Sequence, residues 1–115
     1  MMNKFELAHV GINNENEEEA QALVNLLCNL LNLQPRMSAK SIFADPYFEC
    51  MKTPFLGRNG HVGMRTDDLT AAVEELKEKG YELNMDTAAY TEDGKLKNIY
   101  LAGEFGGFAN HIMQK

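Results

Sequence analysis

The chain has 115 residues, enough for one domain with a modest core, and a net charge of −6 at pH 7. The acidic excess, concentrated at Glu15–Glu19, argues against nucleic acid or an anionic membrane surface as partner, because both reward clustered Lys and Arg. No apolar run approaches the ~20 residues a membrane span needs, and no signal peptide is expected before the first strand; two cysteines read as reduced, buried thiols give the expectation of a cytoplasmic protein.

Taken in order, Lys4 to Asn13 has the alternation of a first strand, with Phe5, Leu7, His9 and Gly11 on one face and Glu6, Ala8, Val10 and Ile12 on the other. The segment NNENEEEA supplies an N-cap, Asn14 or Asn16, and acidic residues where a helix dipole favours them. Ala20 to Leu33 carries a helical stripe of Ala20, Leu23, Leu27, Leu30 and Leu31, widened by Val24 and Cys28, and Pro35 ends it. Glu17 to Glu19 reads as a solvated helix start, since its spacing offers no cation cage. Three short strands are expected near Met37–Ala39, at Ser41–Ala44 and at Tyr47–Met51, with Asp45-Pro46 as the turn between the last two. Glu49 is a carboxylate in the middle of an apolar strand, costly unless paired, exposed or bound to a cation. Cys28 and Cys50 lack metal-finger spacing; two buried, reduced thiols are expected, and a bridge between them stays open.

A linker spans 53–59. The second half then opens on Gly60 to Arg65, with His61, Gly63 and Arg65 on one face. A helix follows, capped by Thr66 or Asp67, burying Leu69, Ala72, Val73 and Leu76, and stopped by Gly80. Strands are expected near Tyr81–Asn84 and Ala88–Tyr90, then at Leu96–Ala102 and Phe108–Gln114, with Asp93-Gly94 as a hairpin turn.

The tetrapeptide HVGI at His9–Ile12 returns as HVGM at His61–Met64, fifty-two residues on. Both copies open the same β-α-β-β-β order, so the chain reads as an internal duplication. It contains three histidines, His9, His61 and His111, all in predicted strands. Superposed at the motif, the halves each offer a ligand in the first strand (His9, His61) and another in the last (Glu49, His111). Three imidazoles and one carboxylate suit a borderline divalent ion such as zinc, nickel, manganese, iron or cobalt.

The duplicated unit, with AHVGIN and GHVGMRT opening and FECMK and FANHIMQK closing, resembles the vicinal oxygen chelate superfamily, which includes glyoxalase I, extradiol dioxygenases, methylmalonyl-CoA epimerase and bleomycin resistance proteins. The resemblance covers the whole chain. It implies an α+β fold in which two tandem βαβββ modules form a curled, cup-like mixed sheet with helices on the outside. The single domain 1–115 would divide into module one at 4–52 and module two at 60–115. One divalent ion per site would be held by His9, Glu49, His61 and His111, and a homodimer is also implied. HVGIN, SIFA, LGRNGHVG, GKLKNIYL and GGFANH are more narrowly similar to a C-terminal extension of some bacterial 2-keto-4-hydroxyglutarate/2-keto-3-deoxy-6-phosphogluconate aldolases, which raises association with such an aldolase as a further expectation. Glyoxalase-like members usually place a Glu in the slot of His111, so Glu49 is the remaining carboxylate.

Three functions fit these residues. The first is metal-stabilised enediolate chemistry, of lyase or isomerase type, on a small oxygen-chelating substrate such as a 2-oxo acid or hydroxy-ketone. Glu49 is then the candidate base, Arg65 a clamp for a carboxylate or phosphate, and Tyr47 and Tyr100 candidate pocket hydroxyls. The plainer reading of Arg65 is a surface ion pair with a helix acid. The second function is a metal- or ligand-binding module without turnover, and the third a metal-free drug-binding protein.

Overall fold

The computed structural model describes residues 3–115, so the first two residues of the domain range lie outside it. Its elements are β1 (Phe5–Ile12), α1 (Glu17–Leu31), β2 (Gln34–Met37), β3 (Ser41–Asp45), β4 (Phe48–Met51), β5 (Gly60–Thr66), α2 (Leu69–Glu78), β6 (Leu83–Tyr90), β7 (Leu96–Leu101) and β8 (Phe108–Gln114). The strands form one mixed sheet in the order β2-β3-β4-β1-β5-β8-β7-β6. Within each half the first and last strands run parallel, β1 beside β4 and β5 beside β8. Antiparallel pairing of β1 with β5 joins the halves. The expected α+β fold of two βαβββ units in one curled sheet is therefore present. Its topology brings the first and last strand of both halves together as the central four, β4-β1-β5-β8.

The helices cover one face of the sheet in two separate cores. Ala20 and Val24 of α1 pack on Ile42 and Cys50, with Leu23, Leu27, Cys28 and Phe48 around them. Leu69 and Val73 of α2 pack on Ile99 and Ile112, with Phe5, Met64 and Leu76 at the margin. Burying these apolar stripes is the main stabilising contribution, about 25 cal/mol per Å² removed from water. Both cysteines are free thiols, and burial beside Cys28 and Glu49 pushes the Cys50 thiol up to about 11. Among the described residues no helix is long and apolar enough to cross a membrane.

Local departures from the sequence expectations have identifiable causes. Helix α1 starts at Glu17, capped by Asn16, whose side chain accepts from the Glu19 N–H. It ends before Pro35 because Asn32 takes a left-handed conformation (φ 55°, ψ 47°), which Asn tolerates better than most residues. Pro35 instead sits in β2, an edge strand where a missing N–H is harmless. The second strand is accordingly Gln34–Met37 rather than Met37–Ala39. Leu30 and Leu31 fall outside the buried stripe and are exposed. Asp68, not Thr66 or Asp67, caps α2 by accepting from the Ala71 N–H. The strands expected at 81–84 and 88–90 are one strand, β6, with irregular pairing between Asn84 and Ala89.

One correction bears on the site. The β1–β5 register shifts between Leu7 and His9, so Leu7 opposes Met64 whereas His9 opposes Gly63. A bulge at Ala8 thus places Phe5 and Leu7 on the face opposite His9, and Glu6 on the same face as His9. Phe5 packs in the α2 core as a result.

Candidate metal centre

The repeated motif explains itself in the pairing of β1 with β5. Antiparallel register sets Gly11 against His61 and His9 against Gly63, so each imidazole stands opposite the other motif's glycine. Directly opposed residues share a face, and only glycine leaves room there. A Cβ on Gly11 would lie 2.0 Å from His61 Cε1, and one on Gly63 would lie 2.7 Å from His9 Cε1. The two rings meet edge to face with centroids 5.2 Å apart. The glycines are therefore part of the site for reasons of volume. Sequence reading used only the histidines of the motif.

Glu49 reaches the same point from β4, where it opposes Gly11 on one side and Phe43 on the other. His9 Nε2 and His61 Nε2 are 3.1 Å apart. Glu49 Oε1 is 3.0 Å from His61 Nε2 and 3.3 Å from His9 Nε2. Ser41 Oγ donates to the other carboxylate oxygen, Oε2, at 2.7 Å. Sequence reading missed Ser41; its signal was its place two residues before Phe43 on the same face of β3. Burial alone would raise the Glu49 pKa. Hydrogen bonds from His61, His9 and Ser41 overcome it and hold the carboxyl well below the usual carboxylate range.

Hydrogen bonds can account for two sides of this triangle at once and not for the third. If both Nε2 atoms donate to Glu49, nothing bonds the two nitrogens to each other. If one nitrogen donates to the other, the acceptor has no proton left for Glu49. A cation among three lone pairs would account for all three contacts, and the spacing suits it. Donors ~2.1 Å from a metal and roughly 90–109° apart are themselves ~3.0–3.4 Å from one another. All three observed separations fall in that window. The His61 ring is held by packing: it is 2 % exposed, and its buried Nδ1 has no hydrogen-bond partner among the described residues.

His111 lies on the same face, in β8 opposite Gly63, with its ring centroid 6.2 Å from that of His61. It stacks flat on Tyr100, centroids 4.2 Å apart and planes 4° from parallel. The converging donor set consists of His9, Glu49 and His61, and His111 stands beside it. Tyr100 is buried, and burial together with the Glu49 charge pushes its hydroxyl up to about 12. Tyr47 lies in the β3–β4 turn, exposed and edge-on to Phe48. Arg65 shares the face of His61 and forms an exposed ion pair at 2.8 Å, but with Glu6 of β1 and not with the helix acid expected, because β1 is its neighbouring strand. Phe43 faces His9 edge-on and carries the Arg36 guanidinium 4.0 Å above its ring. Neither was anticipated from sequence.

Burial, reinforced by His61 and His9 and opposed by Glu49, pushes His111 down to about 4 from its ordinary 6.5. The imidazole therefore stays neutral in the fold, while in the unfolded chain it takes a proton below 6.5. Stability from this group is present above pH 6.5 and is lost as pH falls from 6.5 toward 4. Urea unfolding of metal-free protein should show a falling midpoint across that window. His111→Asn should flatten this part of the decline, and an unchanged slope would contradict the assignment.

A cleft of about 420 Å³ lies beside the site and reaches it at His9; it is lined by Phe43, Arg36, Arg65, Met113 and Lys115 among others. A separate cavity of about 470 Å³ lies on the α2 side, between Phe5, Leu76, Tyr81, Phe105 and Ile112, and contains none of the site residues.

No family model matches the chain, and no curated protein matches it. Solved structures do. A hypothetical protein from Bacillus halodurans is 13% identical and superposes with a TM-score of 0.64 over 97% of this chain and 95% of its own. Methylmalonyl-CoA epimerase from Mycobacterium tuberculosis is 15% identical, TM-score 0.61, over 94% of this chain and 86% of its own. The Streptomyces coelicolor methylmalonyl-CoA epimerase, in complex with 2-nitronate-propionyl-CoA, is 12% identical, TM-score 0.61, over 95% of this chain and 96% of its own. At such identities the likeness is one of fold. The chain has the fold of these epimerases, and with it the curled architecture that the vicinal oxygen chelate resemblance implies.

Proposed function

We propose that this chain is a divalent-metal-binding, glyoxalase-like protein of the vicinal oxygen chelate superfamily. It takes a small substrate that chelates through adjacent oxygens, such as a 2-oxo acid or hydroxy-ketone. The observation that supports this reading is the convergence of two Nε2 atoms and one carboxylate oxygen at 3.0–3.3 Å, a set whose three separations all match those of donors around one metal ion. His9, Glu49 and His61 would hold the ion, with zinc, nickel, manganese, iron or cobalt all compatible with these donors and His111 the fourth side chain of the set. When bound, the ion would act as a Lewis acid on substrate oxygens and favour loss of a proton from the neighbouring carbon. Glu49 is the candidate base for that proton. Ser41 fixes its orientation, and the rings of Phe43, Tyr100 and His111 flank the two imidazoles edge-on.

A second reading, a metal- or ligand-binding module without turnover, draws support from Glu49 itself. It is the one carboxylate of the cluster, its Oε1 faces both imidazoles, and its Oε2 is taken by Ser41. The narrower similarity to an aldolase extension points the same way. Exchange in deuterated water separates the two. Metal-loaded protein that acts as a catalyst should speed loss of the C3 proton signal of 2-oxo acids, and Glu49→Gln should abolish the acceleration. Full metal loading with no exchange of any 2-oxo acid or hydroxy-ketone would leave the binding module as the function.

A further inference from the structure

The cleft beside the metal centre is bordered by cations that the metal reading does not use. On one side Arg36 lies over Phe43, its Nε and one terminal nitrogen bonded to the two oxygens of Asp45 at 2.7 and 3.2 Å. Arg36 is also close enough to Glu49 to feel its charge. On the other side Glu6 Oε1 accepts from Arg65 Nε at 2.8 Å and from Lys115 Nζ at 3.0 Å. Three cationic side chains thus share two carboxylates in a chain whose net charge is −6. Arg65 engages Glu6 through Nε, which leaves its two terminal nitrogens as donors. Asp45 leaves one terminal nitrogen of Arg36. Phe43 supports the Arg36 guanidinium from below, so little side-chain freedom is lost when it takes a further partner. His9 lines the same cleft, so the cationic border and the metal donor set meet at that one imidazole. At about 420 Å³ that space suits a small molecule.

The geometry points to a substrate with two anionic ends: adjacent oxygens for the metal centre, and a second carboxylate or phosphate held between Arg36 and Arg65. This rests on the metal reading for the first end only. The class is a 2-oxo or 2-hydroxy acid bearing a distal anion, as opposed to one with a neutral tail. The clamp acts on the part of the molecule that does not react, so it selects among substrates by affinity.

The test is calorimetric titration of the metal-loaded protein with 2-oxopentanedioate, with its neutral-tailed counterpart 2-oxopentanoate, and with 2-oxo-4-phosphonobutanoate. Each charge-assisted contact is worth roughly tenfold in affinity, so the dianions should bind at least ~10-fold tighter than the monoanion at low salt. The tighter of the two dianions identifies the distal group. Arg36→Met and Arg65→Met should each erase most of the preference while metal content stays at the wild-type level. Equal binding of dianion and monoanion, or a preference that survives both substitutions, overturns the clamp. Metal-free protein titrated with inorganic phosphate examines the cationic border alone. Binding by the wild type and not by Arg36→Met supports the clamp even if the metal reading fails, and no binding by the wild type counts against the clamp even if metal is held.

Discussion

Gly11→Ala should abolish metal binding although no ligand is removed. The added methyl would stand 2.0 Å from Cε1, 2.2 Å from Nδ1 and 2.6 Å from Nε2 of His61, so the ring must leave its place. That ring is 2 % exposed, with the rings of Tyr100 and His111 beside it. Overpacking of this kind costs about 1–3 kcal/mol, which a domain of ordinary stability survives. The expected result is a folded protein with a lowered unfolding midpoint and no retained metal. Gly63→Ala is the graded comparison. Its methyl would meet His9 at 2.7–3.0 Å, and His9 is less buried than His61, so it can yield. Its loss of affinity should be smaller. Wild-type metal affinity in Gly11→Ala would contradict the steric role of the motif.

Glu49→Gln should lower metal affinity by ~100-fold or more. Changes to groups that merely orient a ligand already cost ~10–100-fold, and here an oxygen of the proposed donor set loses its charge. The amide retains the shape of the carboxylate and can still accept from Ser41, which keeps the strand in place. The variant also has a pH signature. A carboxyl held below its ordinary 4.5 contributes stability above that pH and loses it as pH falls through the folded value. The Gln variant lacks this contribution, so its stability at neutral pH should be lower and its decline in acid shallower. Competition with a chelating dye and urea unfolding at several pH values measure both effects.

Much of this site was legible in the sequence because its logic is local and repeated. The HVG pair announced the duplication, and the opening and closing strands of each half do lie side by side at the centre of the sheet. Caps and turns with strong chemical preferences were also legible: Asn16 caps α1, Gly80 follows α2 at φ 92°, and Gly94 turns the β6–β7 hairpin at φ 86°. The failures share a different cause. Alternation counts residues along one strand, so an extra residue at Ala8 reverses the assignment of Phe5 and Leu7 without a local trace. Ser41, Arg36 and Phe43 matter through neighbours on other strands, Glu49, Asp45 and His9, and that pairing exists only once the sheet forms. Proline drew attention as the stop for α1, whereas Asn32, a residue with a weaker signal, ends the helix.

The most direct measurement is the metal content of the wild-type protein, purified without a histidine tag or chelators, by elemental analysis against protein concentration. About one zinc, nickel, manganese, iron or cobalt ion per chain, retained through gel filtration, is the predicted result. No divalent ion as isolated, and none taken up after incubation with zinc or nickel, would contradict the account and leave His9, Glu49 and His61 as a hydrogen-bonded cluster.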